Sequence, residues 1–251
     1  MSEKQAVRRF GVLAPPGNVA LEQELPRLLP PGIVMHHNRL SRPGAAISSD
    51  SLMAMAQSVE RAAFDVSQAY PEVILYGCTS GSFLAGIGNE GDIARRIEAQ
   101  VGIPAITTSE AVIAALRAVS AQKVFMLTPY PVAITTHEVA FLDHYGIETV
   151  QADTFDCPTS EAIRAVSADD VYARILERRP AFADADAVFV SCTNLLTMAR
   201  IVDIEQALGM PVVSSNQASL WAVLSLLDVP MNGVVAGSLF EKPALQHSLA
   251  L

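Results

Sequence analysis

Two cysteines in matched surroundings are the residues of this sequence whose types and spacing could carry out chemistry. The first lies in Gly77-Cys78-Thr79-Ser80 and the second in Ser191-Cys192-Thr193-Asn194, each directly after a short apolar run. Two thiols on opposite faces of one carbon can exchange a proton, or one can add to a double bond while the other transfers the proton. The pattern therefore predicts a catalytic pair, Cys78 and Cys192.

Either reaction needs one sulfur as a thiolate and the other as a thiol. Because an unperturbed cysteine has a pKa near ~8.5, we expect backbone N–H groups of a helix that begins after each cysteine to favour ionisation. Cys78 is expected to ionise first, since Thr79-Ser80-Gly81 follows it. Cys157 has no partner in the repeat and is predicted to be a buried thiol without a chemical role.

Polar side chains next to the two thiols are candidates for binding carboxylate oxygens. Hydroxyls and amides that follow each cysteine could form two groups of hydrogen-bond donors. Two further candidates are an asparagine after the first strand, which could also be only a helix cap, and a tyrosine that could also be only a core aromatic. The residues concerned are Asn18, Thr79, Ser80, Tyr130, Thr193 and Asn194.

The two cysteine motifs belong to an internal repeat. Residues 10–17 align with residues 124–131 at the offset that relates Cys78 to Cys192, and residues 97–104 align with residues 204–211 at a shorter offset. Each half alternates apolar strands with helical segments, which predicts an α/β fold of two pseudo-symmetric halves, each an open parallel sheet flanked by helices. Loops beyond the carboxyl ends of such strands form the working site, so we expect the active site in the cleft between the halves.

The halves are predicted as residues 1–120 with Cys78 and residues 121–251 with Cys192. A C-terminal helix over about residues 214–228 is expected to pack on the first half. Within the first half the spacing of apolar residues predicts a helix that opens at Asn18 and one helix over residues 49–67.

Composition and charge narrow the possible partners. The formal net charge of -9 without a Lys/Arg cluster argues against nucleic acid or an anionic membrane surface as a partner. Three cysteines without a C-x-x-C pair indicate neither a zinc site nor a disulfide framework, and we expect no cofactor. The polar start at residues 1–5 and the early Pro15-Pro16 do not fit a signal peptide, so we expect a cytoplasmic protein.

Four motifs resemble one known family. They are Pro15-x-x-Asn18 followed by Glu22-x-Glu24-Leu25, then residues 77–83, Thr128-Pro129-Tyr130 and residues 191–194. Together they resemble the aspartate/glutamate racemase superfamily, and within it the maleate cis-trans isomerase group, to which arylmalonate decarboxylase is related.

The resemblance implies a cofactor-independent site with Cys78 as nucleophile and Cys192 as the second acid/base thiol. It also implies that Asn18 and Tyr130 bind carboxylates of a small-molecule dicarboxylate, and a homo-oligomer, either dimer or tetramer, is expected. Where the isomerases carry a further substrate-binding asparagine, this sequence has Ser160. The decarboxylase relatives lack the first cysteine, so its presence argues against simple decarboxylation.

Two other functions fit the same residues. An aspartate- or glutamate-type racemase could use the two cysteines as acid and base on opposite faces. A small-acid binding or sensor protein could use the same cleft without turnover.

Overall fold

Two four-stranded parallel sheets with the same strand order form the framework of the computed structural model, which describes residues 7–84 and 86–245. The order is β2-β1-β3-β4 in one half and β6-β5-β7-β8 in the other, and every strand pair is parallel. The polar start at residues 1–5 and His247, which the sequence gives no role beyond that of a structural or surface residue, lie outside the described residues. The predicted α/β fold of two matched halves is confirmed.

Apolar sequence sets which strands are central. The inner strands of both sheets consist mainly of Val, Ile, Leu, Phe and Met and are almost entirely buried, as parallel strands covered on both faces must be. The first half contains β1 (Arg8–Ala14), β2 (Ile33–Arg39), β3 (Val73–Tyr76) and β4 (Ala105–Thr107). The second half contains β5 (Lys123–Thr128), β6 (Glu148–Thr154), β7 (Ala187–Val190) and β8 (Val212–Ser214).

Helices cover the faces of both sheets. In the first half these are α1 (Ala20–Glu24), α2 (Ser49–Met55), α3 (Val59–Ser67), α4 (Thr79–Phe83), α5 (Asp92–Val101) and α6 (Thr108–Ala118). In the second half they are α7 (Val132–His144), α8 (Ser160–Ala165), α9 (Ala168–Arg178), α10 (Ile201–Leu208) and α11 (Ser215–Leu226). In the part of the chain that the structure describes, no helix is both long and apolar enough to cross a membrane.

The single helix predicted over residues 49–67 is wrong. A 3-10 turn at Ala56–Ser58 separates α2 from α3. Ser58 explains the interruption, because its hydroxyl donates to the Met55 carbonyl at 2.8 Å and accepts the Ser41 N–H at 2.8 Å. A side chain that bonds nearby backbone groups in this way competes with the regular helical ladder.

The helix predicted to open at Asn18 begins two residues later. The first residue of α1 is Ala20. The Asn18 Oδ1 atom nevertheless accepts the Leu21 N–H at 3.2 Å, so the side chain still satisfies an orphan amide of the first turn.

Two repeat-related helices, α6 and α11, pack against each other between the halves. Each begins with a capping box, formed by Thr107 with Glu110 and by Ser214 with Gln217. The Thr108 and Ser219 hydroxyls lie 3.1 Å apart across this contact. Since α11 is buried on every side over residues 215–225, it joins the two halves into one core.

Candidate active site

One pocket lies between the halves, and all nine residues singled out from the sequence line it. About 370 Å³ of non-atom space, part of it open to solvent, lies among the lining side chains. The nine come from the segments that follow β1, β3, β5 and β7 and from the start of α8, as the carboxyl-end rule for parallel sheets requires. The nine are Asn18, Cys78, Thr79, Ser80, Tyr130, Ser160, Cys192, Thr193 and Asn194; Pro15, Arg42, Ile47, Leu52 and Ile163 complete the wall.

Cys78 sits at the N-cap position of α4, directly after β3. Its sulfur accepts the Gly81 N–H at 3.3 Å and lies 3.9 Å from the Ser80 hydroxyl oxygen. Gly81 allows this close approach, because a Cβ atom there would lie 2.5 Å from the Tyr76 hydroxyl oxygen and 3.0 Å from the Cys78 sulfur. A side chain at residue 81 would therefore displace the thiol.

Cys192 has a different local geometry, although its sequence motif matches. Its φ of 97° lies in the left-handed region, which is uncommon for a residue with a side chain and marks a strained site. The helix expected after Cys192 is absent, since the chain turns and the next helical residues form a 3-10 turn at Met198–Arg200. The Cys192 sulfur accepts the Asn194 N–H at 3.3 Å.

Burial raises the pKa of both thiols and outweighs the Gly81 and Asn194 N–H groups, which lower it as expected. Desolvation is the largest cause in each case, and it raises the pKa of Cys192 to about 12. The Gly81 N–H and the positive charge of Arg42 lower the pKa of Cys78 in part. Charges on Cys78 and Glu138 raise the pKa of Cys192 further. These charges favour ionisation of Cys78 before Cys192.

The threonines next to the two cysteines bond to the opposite half. The Thr79 hydroxyl donates to the Ser215 hydroxyl at 2.9 Å, and the same Ser215 oxygen accepts the Cys192 N–H at 3.0 Å. The Thr193 hydroxyl donates to the Gly77 carbonyl at 2.9 Å. These bonds fix the two cysteine loops relative to each other.

Both asparagines of the pocket are also engaged by the protein. The Asn18 amide donates to the Thr193 hydroxyl at 2.8 Å. The Asn194 amide donates to the Ser160 carbonyl at 3.2 Å, and its oxygen accepts the Val19 N–H at 2.9 Å. The amides therefore hold the loops after β1, β7 and the start of α8 together around the pocket.

Sequence reasoning missed Arg42, the one cation among the residues that line this pocket in the described structure. It lies in the loop between β2 and α2, and its Nη2 atom donates to the Ser160 hydroxyl at 2.9 Å. The only signal in the sequence is an arginine in a loop that follows a strand, and this is too common to single the residue out.

A second missed residue is Glu138, a fully buried carboxyl in α7. Its Oε1 atom accepts the Ser191 hydroxyl at 2.6 Å, and its Oε2 atom has no hydrogen-bond partner within the described residues. The offset between the cysteines also relates Glu138 to Glu24, which accepts the Thr197 and Met198 N–H groups. The shared offset is the sequence signal that could have identified Glu138. Burial raises the pKa of Glu138 to about 8.

The raised pKa of Glu138 predicts a pH-dependent contribution to stability. Its folded pKa of about 8 exceeds the ordinary value of 4.5, so the folded protein keeps a proton that the unfolded chain loses in this range. The contribution is fully present below the unfolded pKa and is lost as pH rises through the folded pKa. Relative to Glu138→Gln, the wild-type free energy of unfolding should fall by about 1.4 kcal/mol per pH unit between roughly pH 5 and 7.5.

Urea unfolding of both proteins across this range measures the difference. Glu148→Gln is the matched control, because Glu148 is largely exposed beside Lys123, and it should show no such slope. A pH-independent difference between wild type and Glu138→Gln would contradict the prediction.

Fold and site together define a class, a two-half α/β enzyme with a pair of buried thiols in the pocket between its halves. The family model described as arylmalonate decarboxylase matches residues 10–240. The chain belongs to the arylmalonate decarboxylase family.

Relatives in this family include enzymes of two activities. Maleate isomerase of Nocardia farcinica is 28% identical over 244 residues, which cover 94% of this chain and 96% of the relative. Arylmalonate decarboxylase of Bordetella bronchiseptica is 30% identical over 151 residues, which cover 59% of this chain and 62% of the relative.

Solved structures agree with this grouping. A variant of the Pseudomonas putida maleate isomerase, solved with maleate, superposes with a TM-score of 0.89 at 25% identity over 95% of this chain and 99% of that chain. A cysteine-to-serine variant of the Nocardia farcinica maleate cis-trans isomerase, with a covalently bound succinylcysteine intermediate, gives 0.86 at 26% identity over 93% and 98%. The predicted resemblance is confirmed.

Proposed function

We propose that this protein is a cofactor-independent cis-trans isomerase of maleate or a related unsaturated dicarboxylate. The observation that carries the proposal is the meeting of two repeat-related thiols, Cys78 and Cys192, in one small pocket. The isomerases of this family supply the reaction class, and the succinylcysteine of one of them is the adduct expected when a cysteine sulfur adds to maleate.

The reaction begins with Cys78 as the thiolate and Cys192 as the thiol. The Cys78 sulfur forms a bond to one alkene carbon, and the π electrons move to the neighbouring carbon, which takes a proton from Cys192. The former double bond is then a single bond and rotates. Cys192 takes the proton back, the C–S bond breaks, and the trans acid leaves with the Cys78 thiolate restored.

The remaining lining residues divide into two groups by their contacts. Ser80 and Tyr130 border the sulfurs: the Ser80 hydroxyl oxygen lies 3.9 Å from the Cys78 sulfur, and the neighbouring Tyr130 lowers the pKa of Cys192 in part, against the larger effect of burial. We assign to Ser80 and Tyr130 the donation of hydrogen bonds to the substrate carboxylates and to the cysteine sulfurs when these are ionised. The other group, Asn18, Thr79, Ser160, Thr193 and Asn194, borders the substrate while its bonds hold the loops in register.

The isomerase is favoured over the racemase alternative. Three further maleate isomerases, from Geobacillus stearothermophilus, Pseudomonas putida and Alcaligenes faecalis, match 87 to 93% of this chain. A racemase would use the same thiols as acid and base without a covalent adduct, whereas a related isomerase is seen with a succinylcysteine.

Proton NMR of the wild-type protein with maleate tests the proposal. We expect the vinyl resonance of maleate to be replaced by that of fumarate, without added cofactor. Deuterium uptake at the α carbon of an acidic amino acid, with maleate left unchanged, would point to the racemase instead. Stabilisation of the fold by small diacids without turnover would point to a binding protein.

Three expectations stay predictions. The division at residues 120 and 121 is supported by the sheets, since one ends at Thr107 and the other begins at Lys123. A homo-oligomer, dimer or tetramer, and a cytoplasmic location are kept as proposals that accompany the family assignment.

A further inference from the structure

Arg42 differs from most arginines of this protein in its charge environment. Arg8, Arg61 and Arg96 each pair with a carboxylate. Within residues 7–84 and 86–245, Arg42 forms no ion pair and donates only to the neutral Ala45 carbonyl and Ser160 hydroxyl. Its positive charge therefore lacks a compensating acid in a protein whose net charge is -9.

The guanidinium of Arg42 also has unused donors. An arginine side chain carries five N–H groups in a planar fork that matches a carboxylate. The two bonds described above both use Nη2. The Nε atom is buried and has no hydrogen-bond partner in the described part of the chain, which is a costly arrangement unless a ligand supplies an acceptor.

The loop that carries Arg42 is held against the second half. Ala46 forms an isolated antiparallel bridge with Thr159, and the Ile47 N–H donates to the Pro158 carbonyl at 3.0 Å. Arg42 and Ile47 both line the pocket. The guanidinium thus belongs to the wall of the site, and its contact with Ser160 joins the two halves there.

We propose that Arg42, together with the Ser160 hydroxyl, binds one carboxylate of the substrate and makes the site selective for dianions over monoanions. The proposal rests on the proposed function, because it names a binding residue of the same pocket. Ser160 takes part directly: its oxygen accepts from Arg42, so its own O–H can donate to the same carboxylate. The positive charge of Arg42 also favours the Cys78 thiolate. This effect on the nucleophile is distinct from binding of a substrate carboxylate.

Two substrates of different charge distinguish carboxylate binding by Arg42 from its effect on the Cys78 thiolate. Maleate has two carboxylates, whereas its monoamide, maleamate, has one carboxylate and one neutral amide. In Arg42→Gln, we expect kcat/KM for maleate to fall by about 100-fold or more, the range of a lost charge-assisted bidentate contact. Maleamate can place its amide beside the new glutamine, so the selectivity ratio of maleate to maleamate should fall at least about 10-fold.

If Arg42 acted only through the Cys78 thiolate, or only in packing the loop, its loss would lower kcat/KM equally for maleate and maleamate. The selectivity ratio would then stay unchanged. Arg42→Lys keeps the positive charge but lacks the planar pair of donors of a guanidinium. It should retain most of the preference for maleate over maleamate while losing part of kcat/KM. Arg164→Gln is the matched control. Arg164 also contacts the opposite half, through the Gly17 carbonyl at 3.1 Å, but it does not line the pocket. The Arg164→Gln protein should therefore have the same ratio of maleate to maleamate kcat/KM as wild type.

Binding of the unreactive dianion succinate, measured by calorimetry, distinguishes failure of this inference from failure of the proposed function. Turnover by wild type with an unchanged ratio in Arg42→Gln overturns the inference and leaves the isomerase in place. If wild type turns over no diacid, the proposed function fails. Succinate binding that is lost in Arg42→Gln and kept in Arg164→Gln then supports the carboxylate site, and equal affinities, or no binding to wild type, overturn it.

Discussion

Cys78→Ser is expected to lose isomerase turnover by about four orders of magnitude or more while retaining its fold. Serine is nearly isosteric with cysteine, but its hydroxyl hardly ionises, so the covalent step loses its nucleophile. The Gly81 N–H that faces the Cys78 sulfur at 3.3 Å can still bond the serine oxygen. The loss should therefore appear in catalysis rather than in stability.

Conversion of maleate followed by NMR measures the turnover, and urea unfolding measures the fold. Cys157→Ser is the matched control, since Cys157 is also buried but does not line the pocket. Near wild-type activity is expected for this control. If Cys78→Ser retained more than about a tenth of the wild-type rate, a nucleophilic Cys78 would be ruled out.

Cys192→Ser is expected to stop the reaction at a different point. The Cys78 sulfur can still add to the alkene, and the neighbouring carbon can take a proton slowly from solvent, but serine cannot remove that proton again. Turnover should therefore fall by about 10²–10⁴-fold, the usual contribution of a general acid or base. The intermediate should then accumulate. Intact-protein mass spectrometry after incubation with maleate should show one added substrate molecule.

Peptide mapping should place this adduct on Cys78. Cys78 lines the pocket and the charge of Arg42 favours its thiolate in part, whereas the other remaining thiol, Cys157, does not line the pocket. An adduct on Cys192 in the Cys78→Ser protein would reverse the two roles but keep the paired-thiol mechanism. An absence of adduct in both variants, with turnover lost, would instead favour proton exchange without covalent addition.

The sequence by itself determined the repeat and therefore most of the fold. The shared offset between the cysteines predicts two matched halves, and the apolar runs before Cys78 and Cys192 predict β3 and β7, which are observed. It also identified nine residues that line one pocket. These inferences succeed because strand and turn patterns are local, and because loops at the carboxyl ends of parallel strands meet at one edge.

Only the tertiary structure decided how the two halves differ around the pocket. The left-handed backbone of Cys192, the missing helix after it and the orphaned carboxyl oxygen of Glu138 have no counterpart in the matched motifs. Arg42 reaches Ser160 across more than a hundred residues of chain. Contacts of this kind, and the burial that raises the pKa of both thiols, depend on how the halves pack, and a local sequence pattern carries no record of that packing.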